Sequence, residues 1–314
     1  MSDNTNPLVS IGIPTYNRAN SYLKHALRSA VNQTYKNIEI IVSDNCSQDN
    51  TESVVREFND PRIRYYKQKV NIGSLNNSNF CLEQSQGTYF LMLFDDDLID
   101  NDFISTCMDA VKYHSEPGII LTGAREIDSE GNVLSATHNT ISGYSTADFI
   151  LGWFDSKVPL YLCSTLFNTK RLKQLGGLHS KTNQYEDVVA YVQLAAKYGR
   201  VDVFDIKASF RRHDSNMGSA THYYKWCEDS LYLLDIMCNV VPEHAALIRE
   251  RGMSYFCLRN YRHVARIKSP VKRFLAYLTV YRTFNYSYSP LRFIYLRNVS
   301  PIVSFLKRNI ANLK

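Results

Sequence analysis

Residues 90–100 read FLMLFDDDLID, an apolar run that ends in three consecutive aspartates. Neighbouring carboxylates repel one another, and at an effective dielectric near 20 two charges ~4 Å apart cost about 4 kcal/mol. A short apolar run bounded by polar residues is typical of a buried strand. The stretch therefore predicts a strand that delivers concentrated negative charge to one edge of a sheet, where a bound cation would relieve the repulsion.

Strand-like and helical segments alternate around this run. Four stretches are predicted as strands and three as helices, in the chain order 8–14, 21–33, 38–44, 50–58, 63–68, 74–85 and 89–95. This alternation favours a parallel, doubly wound sheet. Ligands of such sheets bind beyond the carboxyl ends of the strands, which is where the polar clusters 16–18, 44–49 and 95–97 fall. Farther along, the pattern predicts strands at 118–128 and 200–215 and a helix at 186–199.

Composition is that of an ordinary globular protein, with 45% hydrophobic and 21% charged residues among 314. The seven cysteines are scattered and include no CxxC pair, so neither a zinc knuckle nor a disulfide framework is indicated. A reducing, cytoplasmic setting is expected. The amino terminus has no basic segment followed by an apolar one, so no secretory signal is predicted. No uninterrupted apolar stretch approaches the ~20 residues of a membrane span.

Charge is distributed unevenly along the chain. Residues 251–314 hold 13 Lys and Arg and no Asp or Glu, so residues 1–250 hold the other 23 basic residues and all 30 acidic ones. The basic region also carries many aromatic and aliphatic side chains. It fits either a helical cap with a solvated face or a surface that lies on an anionic membrane. Nucleic acid is not an expected partner, because no RNA- or DNA-binding motif accompanies the region.

Five motifs spread over residues 8–218 resemble those of the family 2 glycosyltransferases. They are VSIGIPTYNR, IEIIVSDNCSQDNT, NIGSLNNSN, FDDD and the ED that opens a helix. The resemblance implies an α/β protein of the GT-A fold, with a Rossmann-like doubly wound, mostly parallel sheet and here a C-terminal helical extension. It also implies a nucleotide-sugar-binding half at 1–97, an acceptor-binding half at 98–218 and a helical basic region at 219–314.

The resemblance further implies roles for single residues. Asp44 is expected to accept a hydrogen bond from the base of the nucleotide, although Ser43-Asp44-Asn45 keeps only one of the two acidic residues that many members have there. Asp97 and His213 are expected to hold Mn²⁺ or Mg²⁺, through which the diphosphate is bound. The other residues expected around the donor are Pro14, Thr15, Tyr16, Arg18, Asn71, Gly73, Asp95 and Asp96.

Asp187, at the start of the predicted helix 186–199, is the candidate general base. An acceptor hydroxyl is a poor nucleophile and needs a base within hydrogen-bond reach. The helix dipole and free amides also favour negative charge at this position, so simple capping by Glu186 and Asp187 is the alternative interpretation. A base that faces the donor from the acceptor side implies single displacement with inversion.

The expected function is metal-dependent transfer of a sugar from a nucleotide sugar to a glycan or lipid-linked glycan. UDP is the usual donor nucleotide of the family, and the expected location is the cytoplasm or the inner face of the membrane. A nucleotidyltransferase is disfavoured because that class is expected to have a glycine-rich basic loop after the first strand, where this chain has PTYNRANS. A phosphatase of the haloacid dehalogenase type is disfavoured because DDDLID departs from DxDx[TV]. The remaining alternative is a catalytically degenerate, nucleotide-binding scaffold at a membrane assembly.

Overall fold

The computed structural model describes residues 6–112, 116–213 and 223–299. The chain divides into two compact units, one formed by Met1–His179 with Tyr185–Asn216 and the other by Ser180–Gln184 with Met217–Lys314. The first unit is a sheet flanked by helices, and the described part of the second consists of helices. The α/β class with a C-terminal helical extension, predicted from the sequence, is therefore confirmed.

Among the described residues, nine strands form one sheet. They are β1 (Val9–Thr15), β2 (Ile38–Asp44), β3 (Ile63–Lys67), β4 (Tyr89–Met92), β5 (Leu98–Ile99), β6 (Ile119–Ile127), β7 (Val133–Thr137), β8 (Thr165–Asn168) and β9 (Arg200–Arg211). Their order is β3-β2-β1-β4-β8-β6-β9-β5, and β7 pairs with β6.

Helices accompany the strands in the first unit and make up the second. Those of the first unit are α1 (Leu23–Val31), α2 (Thr51–Arg56), α3 (Ser74–Gln84), α4 (Phe103–Val111), α5 (Thr146–Phe154), α6 (Thr169–Gln174) and α7 (Glu186–Tyr198). Those of the second unit are α8 (Tyr223–Val240), α9 (Ala245–Val264), α10 (Pro270–Thr283) and α11 (Pro290–Ile294), followed by a π-helical turn at Tyr295–Val299.

Six of the nine strands run in the same direction. Strands β1 to β4 pair in parallel, β8 is antiparallel to both β4 and β6, and β9 is parallel to β6. The carboxyl ends of β1, β2, β3, β4, β6 and β9 therefore share one edge of the sheet, called here the carboxyl edge. The mostly parallel sheet expected from the sequence is confirmed.

Strand β4 ends earlier than the sequence predicted. The apolar run suggested a strand to residue 95, but pairing with β1 stops at Met92, opposite Gly12. The backbone N–H of Leu93 still donates to the carbonyl of Gly12, and the chain then turns so that the N–H of Asp97 donates to the carbonyl of Phe94. All three aspartates consequently lie beyond the strand, at the carboxyl edge.

The burial of strands β1 and β2 explains why the first strands of the sheet could be predicted from the sequence. Every residue of both strands is buried, as expected for parallel strands covered by helices on both faces. Helix α1 buries the face formed by Leu23, Ala26, Leu27 and Ala30, which is the spacing of one helical stripe. The core of the first unit thus follows directly from continuous apolar runs and one amphipathic helix.

In the second unit, no single described helix is both long and apolar enough to cross a membrane. Helix α8 and the stretch Pro242–Val264 meet that length and composition only as a pair, which is bent by 113°.

A buried carboxylate organises the short segment of the second unit that precedes α7. Asp229 is fully buried and accepts hydrogen bonds from the Ser180 hydroxyl (2.6 Å) and from the N–H groups of Thr182 (3.0 Å) and Gln184 (2.7 Å). Hydrogen bonds to a charged acceptor contribute about 1.5–3 kcal/mol each. Asp229 therefore fixes the backbone from Ser180 to Gln184, two residues before α7 begins.

Asp229→Asn is expected to lower the free energy of unfolding by about 3 kcal/mol, because an amide group would face donors that now meet a carboxylate oxygen. Urea unfolding of both proteins measures the difference. The matched control is Asp235→Asn, since Asp235 is exposed and pairs with Arg249 at the surface, where such pairs contribute about 0–1 kcal/mol. Equal losses in the two variants would contradict the role given to Asp229.

Candidate functional site

The carboxyl edge collects the residues that the sequence singled out. Tyr16 follows β1, Asp44 ends β2, the aspartates 95–97 follow β4, and His213 lies two residues beyond β9. The register places Thr15 opposite Asp44 on neighbouring strands. Parallel strand direction therefore brings the predicted nucleotide-binding and metal-binding residues to the same edge.

The loops after β1 and β2 are tied together. The N–H of Asn17 donates to the Ser47 hydroxyl (2.8 Å), and the N–H of Gln48 donates to Asn17 Oδ1 (2.9 Å). Pro14 and Thr15 are buried at the end of β1, whereas the Tyr16 side chain is 44% exposed. An exposed ring on a fixed corner is suited to stacking on a flat ligand.

Asp44 is fully buried and already holds two internal partners. Its Oδ2 accepts from the Tyr65 hydroxyl (2.6 Å), and its Oδ1 accepts from the Ser47 N–H (2.8 Å). Burial, and then the neighbouring Asp44, raise the pKa of Tyr65 well above its ordinary value, so the phenol stays a donor. A carboxylate has about four lone-pair sites, which leaves acceptor capacity for a further donor at the position predicted for the base.

The segment 71–73 is anchored to the end of β2 through its neighbour Asn45. The Asn45 amide donates to Asn71 Oδ1 (3.0 Å), and Asn45 Oδ1 accepts from the Ile72 N–H (2.8 Å). Gly73 then adopts φ +84°, a left-handed conformation that favours glycine. The segment predicted to close over the nucleoside is thus held beside Asp44.

Asp95 is the first aspartate of the run, and it is nearly buried. Its Oδ1 lies 3.7 Å from Arg18 Nε. The pKa of Asp95 is raised to about 6, first by burial and also by the adjacent Asp96, while Thr15 and Arg18 act to lower it. Arg18 is therefore the local counter-charge for this carboxylate.

Asp96 and His213 meet at the ends of β4 and β9. His213 Nε2 lies 2.8 Å from Asp96 Oδ2, and the imidazole ring packs on Tyr22 with centroids 5.3 Å apart. The two side chains come from positions 117 residues apart in the chain. The fold thus places an imidazole against the second aspartate.

Asp97 is 1% exposed, and its Oδ1 accepts from the backbone N–H of Arg211 (2.9 Å). The Arg211 guanidinium donates to the carbonyl of Asp96 (2.9 Å) and lies over the Tyr22 ring. Burial first, and then the charge of Asp96, raise the pKa of Asp97 well above its ordinary value. The Asp97 side chain therefore attaches the end of β9 to the aspartate run, and its negative charge repels that of Asp96.

The residues at this edge fit a hard divalent cation in part. Asp96, Asp97 and His213 offer carboxylate oxygens and an imidazole nitrogen, which suit Mg²⁺ and Mn²⁺. The repulsion between the two neighbouring carboxylates is the kind that a cation relieves. Within residues 6–112, 116–213 and 223–299, no group of three or more His, Cys, Asp or Glu side chains forms a metal site by itself. Substrate phosphates or water would supply the other ligands, as is usual for Mg²⁺.

Asp187 lies at the start of α7, and it is half-buried. Helix α7 leads through Gly199 into the first residue of β9, so its amino end points toward the carboxyl edge. Asp187 Oδ1 accepts from the N–H of Val188 (2.7 Å). Burial, and then the charge of Asp187, raise the pKa of Tyr191 one turn along the helix. This contact satisfies one N–H of the first turn, whereas the N-cap residue is Tyr185 and makes no side-chain cap hydrogen bond. The role of base stays a prediction.

Several residues that shape this edge were not singled out from the sequence. Tyr22 supports both His213 and Arg211, Asn45 holds the segment 71–73, and Tyr65 orients Asp44. Asn45 follows directly on Asp44, so its position was a usable signal. Tyr22 and Tyr65 gave none, because a tyrosine next to a helix or in a strand is usually a packing residue.

Known proteins resemble this chain in amino-acid sequence. The family model described as "Glycosyl transferase family 2" matches residues 10–170. The chain is 27% identical over 280 residues to "GalNAc(5)-diNAcBac-PP-undecaprenol beta-1,3-glucosyltransferase" of Campylobacter jejuni, which is 86% of this chain and 85% of that protein. It spans only about a fifth of the length of other curated relatives that it matches.

Two solved structures share the fold at low sequence identity. S. aureus TarS 1–349 in complex with UDP-GlcNAc superposes with a TM-score of 0.59 at 15% identity, covering 89% of this chain and 91% of that one. Mannosyltransferase PcManGT from Pyrobaculum calidifontis, in complex with GDP-Man and Mn²⁺, gives a TM-score of 0.55 at 18% identity, covering 90% and 85%. The predicted GT-A fold is confirmed.

Proposed function

Since this chain belongs to glycosyl transferase family 2, we propose that it moves a sugar from a nucleoside-diphosphate sugar to a hydroxyl of a glycan or lipid-linked glycan. The observation that carries the proposal is the meeting of Asp44, the aspartates 95–97 and His213 at one edge of the sheet. Residues 1–97 supply the donor side and 98–218 the acceptor side, and the described part of 219–314, residues 223–299, is a helical basic region.

The donor is a UDP-sugar in this proposal. Tyr16 packs on the base, Asp44 accepts a hydrogen bond from it, and Asn71 with Gly73 covers the nucleoside. Pro14, Thr15 and Arg18 line the same corner, and Asp95 faces the ribose. Solved structures of the same fold that carry UDP-GlcNAc or GDP-Man support a nucleotide sugar.

A divalent cation, Mn²⁺ or Mg²⁺, completes the site. Asp97 and His213 would hold it, and Asp96 would serve as spacer or second contact. When bound, the ion stabilises the negative charge that develops on the leaving diphosphate. The mixed oxygen and nitrogen donors of this edge support the assignment, and the Mn²⁺ of PcManGT is consistent with it.

Asp187 acts as the general base of the transfer. Its carboxylate takes the proton of the acceptor hydroxyl, whose oxygen attacks the anomeric carbon of the donor sugar. The bond from that carbon to the diphosphate breaks, and its electron pair leaves with the nucleoside diphosphate. Because attack comes from the face opposite the leaving group, the anomeric configuration inverts.

The acceptor is a glycan on a lipid carrier, used at the cytoplasmic face of a membrane. The name of the C. jejuni relative specifies an undecaprenol-linked substrate, and that relative matches most of this chain. All seven cysteines lie among the described residues and are free thiols, which suits a reducing compartment.

Calorimetric titration with UDP, GDP, dTDP and CDP, each with Mn²⁺ and again with EDTA, tests the donor site. We expect UDP to bind only in the presence of the metal, because the diphosphate reaches the protein largely through the ion. Binding of another nucleotide alone would change the donor class and keep the site. Absence of binding by all four, in protein shown to be folded by circular dichroism, would overturn the proposed donor site.

A further inference from the structure

Helix α10 in the second unit is apolar on two opposite faces. Ala276, Tyr277 and Val280 are buried, and Tyr277 packs edge-on against Tyr261 of α9. The opposite face carries four apolar side chains that are between 37% and 70% exposed, at the i, i+3, i+4 and i+7 spacing of one stripe. They are Val271, Phe274, Leu275 and Leu278. This outer stripe is not part of the core.

The neighbouring helix continues the pattern. Helix α11 packs on α10 through Phe293 and Tyr277, whose ring centroids are 5.9 Å apart. It leaves Leu291 71% exposed, and Tyr295 and Leu296 of the following turn are also exposed. Large exposed apolar side chains that cluster in this way mark an interaction surface.

Basic residues accompany this apolar surface, and acidic residues do not. Lys272, Arg282 and Arg292 are exposed on α10 and α11, and the sequence from 251 to 314 contains no Asp or Glu. The surface therefore has a single sign of charge. Its partner must be apolar in its interior and anionic at its boundary.

A cavity of about 280 Å³ lies between α10 and α11, lined by Arg273, Tyr277, Phe293 and Arg297 among others. Burial raises the pKa of Tyr277, and the charges of Arg297 and Arg273 oppose the rise. Arg273 and Tyr277 lie on the side of α10 that faces away from the outer stripe, and Arg273 donates to the carbonyl of Ile267 (3.2 Å), so this cavity is not part of the outer surface.

We propose that α10 and α11 form a face that docks on an anionic phospholipid bilayer. The outer stripe of α10, with Leu291, enters the interface between headgroups and acyl chains, and the flanking basic residues meet lipid phosphates. The arrangement is that of an interfacial amphipathic helix, in which apolar burial and attraction to anionic lipid act together. Docking is independent of the donor assignment.

A second copy of this chain fits the same face poorly. A self-complementary contact would bring Lys272, Arg282 and Arg292 against their own equivalents, with no carboxylate between 251 and 314 to neutralise them. Like charges brought together in this way oppose association. A bilayer with anionic headgroups has the complementary charge.

Vesicle co-sedimentation of the full chain tests the proposal. Vesicles of phosphatidylcholine are compared with vesicles that also contain about one third phosphatidylglycerol, and we expect at least ~10-fold stronger binding to the anionic ones. Binding should weaken as salt rises, because the Debye length shortens. Phe274→Ser with Leu275→Ser should weaken binding by at least ~10-fold, since each side chain loses its apolar burial. Arg282→Gln should weaken it ~5-fold.

The matched controls lie on the first unit. Val133 and Leu134 of β7 are 60% and 58% exposed, so Val133→Ser with Leu134→Ser removes as much exposed apolar surface, and Arg28→Gln removes an exposed charge on α1. Both controls should bind vesicles as the wild type does. Equal binding to both vesicle types, or no loss in the α10 variant, would overturn the proposal. The proposal would also be overturned if the α10 variant lost self-association, measured by analytical ultracentrifugation, and kept its vesicle binding. Thermal unfolding shows whether each variant is folded, and none of these outcomes depends on the donor.

Discussion

Asp187→Asn is expected to lower turnover by about 10²–10⁴-fold while leaving the affinity for the donor nucleotide within about twofold. The amide is close in size to the carboxylate and can still accept the N–H of Val188 through its oxygen. It cannot take a proton from the acceptor hydroxyl. The variant therefore separates base catalysis from donor binding, which we propose involves residues at the ends of β1, β2 and β4.

The matched control is Glu186→Gln, one residue earlier in the first turn of α7. It removes a negative charge from the same helix end without touching the proposed base, so turnover should stay within a few-fold of the wild type. If capping were the only role of Asp187, the two substitutions would each lower stability by about 0.3–1 kcal/mol and neither would stop transfer. Normal turnover in Asp187→Asn would show that the base lies elsewhere.

The part of the fold formed by residues 1–97 could be predicted because its sequence patterns are local. Strand β2 was expected at 38–44 and is observed there, since every side chain in it is apolar or buried with its partners. Helices α1 and α3 also lie within the predicted ranges. Each strand and helix has its own hydrophobic pattern. Strands that alternate with helices through short connections then allow few topologies.

The part formed by residues 98–218 could not be predicted in the same way, because its strands pair with segments that are distant in the chain. Strand β5 has two residues and is antiparallel to β9, where Leu98 lies opposite Ser209. Strand β8 reverses direction between β4 and β6. A two-residue strand has no readable period, and its direction is decided by partners that lie far away in the chain.

The candidate site shows the same division. The sequence indicated Asp44 and the aspartates because polar residues follow apolar runs. It did not indicate that Asp97 would accept the N–H of Arg211, a residue 114 positions away, or that Asp96 would meet His213. These contacts arise only when β5 and β9 pair, so they depend on the tertiary fold.

Asp97→Asn is expected to weaken metal-dependent nucleotide binding by at least ~100-fold, because loss of a group that only supports a metal ligand already costs about 10–100-fold. Asn keeps the size of the side chain and an oxygen that can accept the Arg211 N–H, so the end of β9 stays attached. It removes the charge that repels Asp96. Calorimetry with UDP and Mn²⁺ measures the affinity, and urea unfolding in EDTA should show no loss of stability.

Two companion variants locate the ion within the aspartate run. Asp109→Asn changes an exposed carboxylate of α4 that pairs with Lys112, and it should leave the Mn²⁺ dependence intact. Asp96→Asn should have a smaller effect than Asp97→Asn if Asp96 is a spacer. If Asp96→Asn alone removed the metal dependence, the ion would be held by Asp96 and His213, which already lie 2.8 Å apart. Asp97 would then act only to attach β9 to the carboxyl edge, and its assignment as a metal ligand would be wrong.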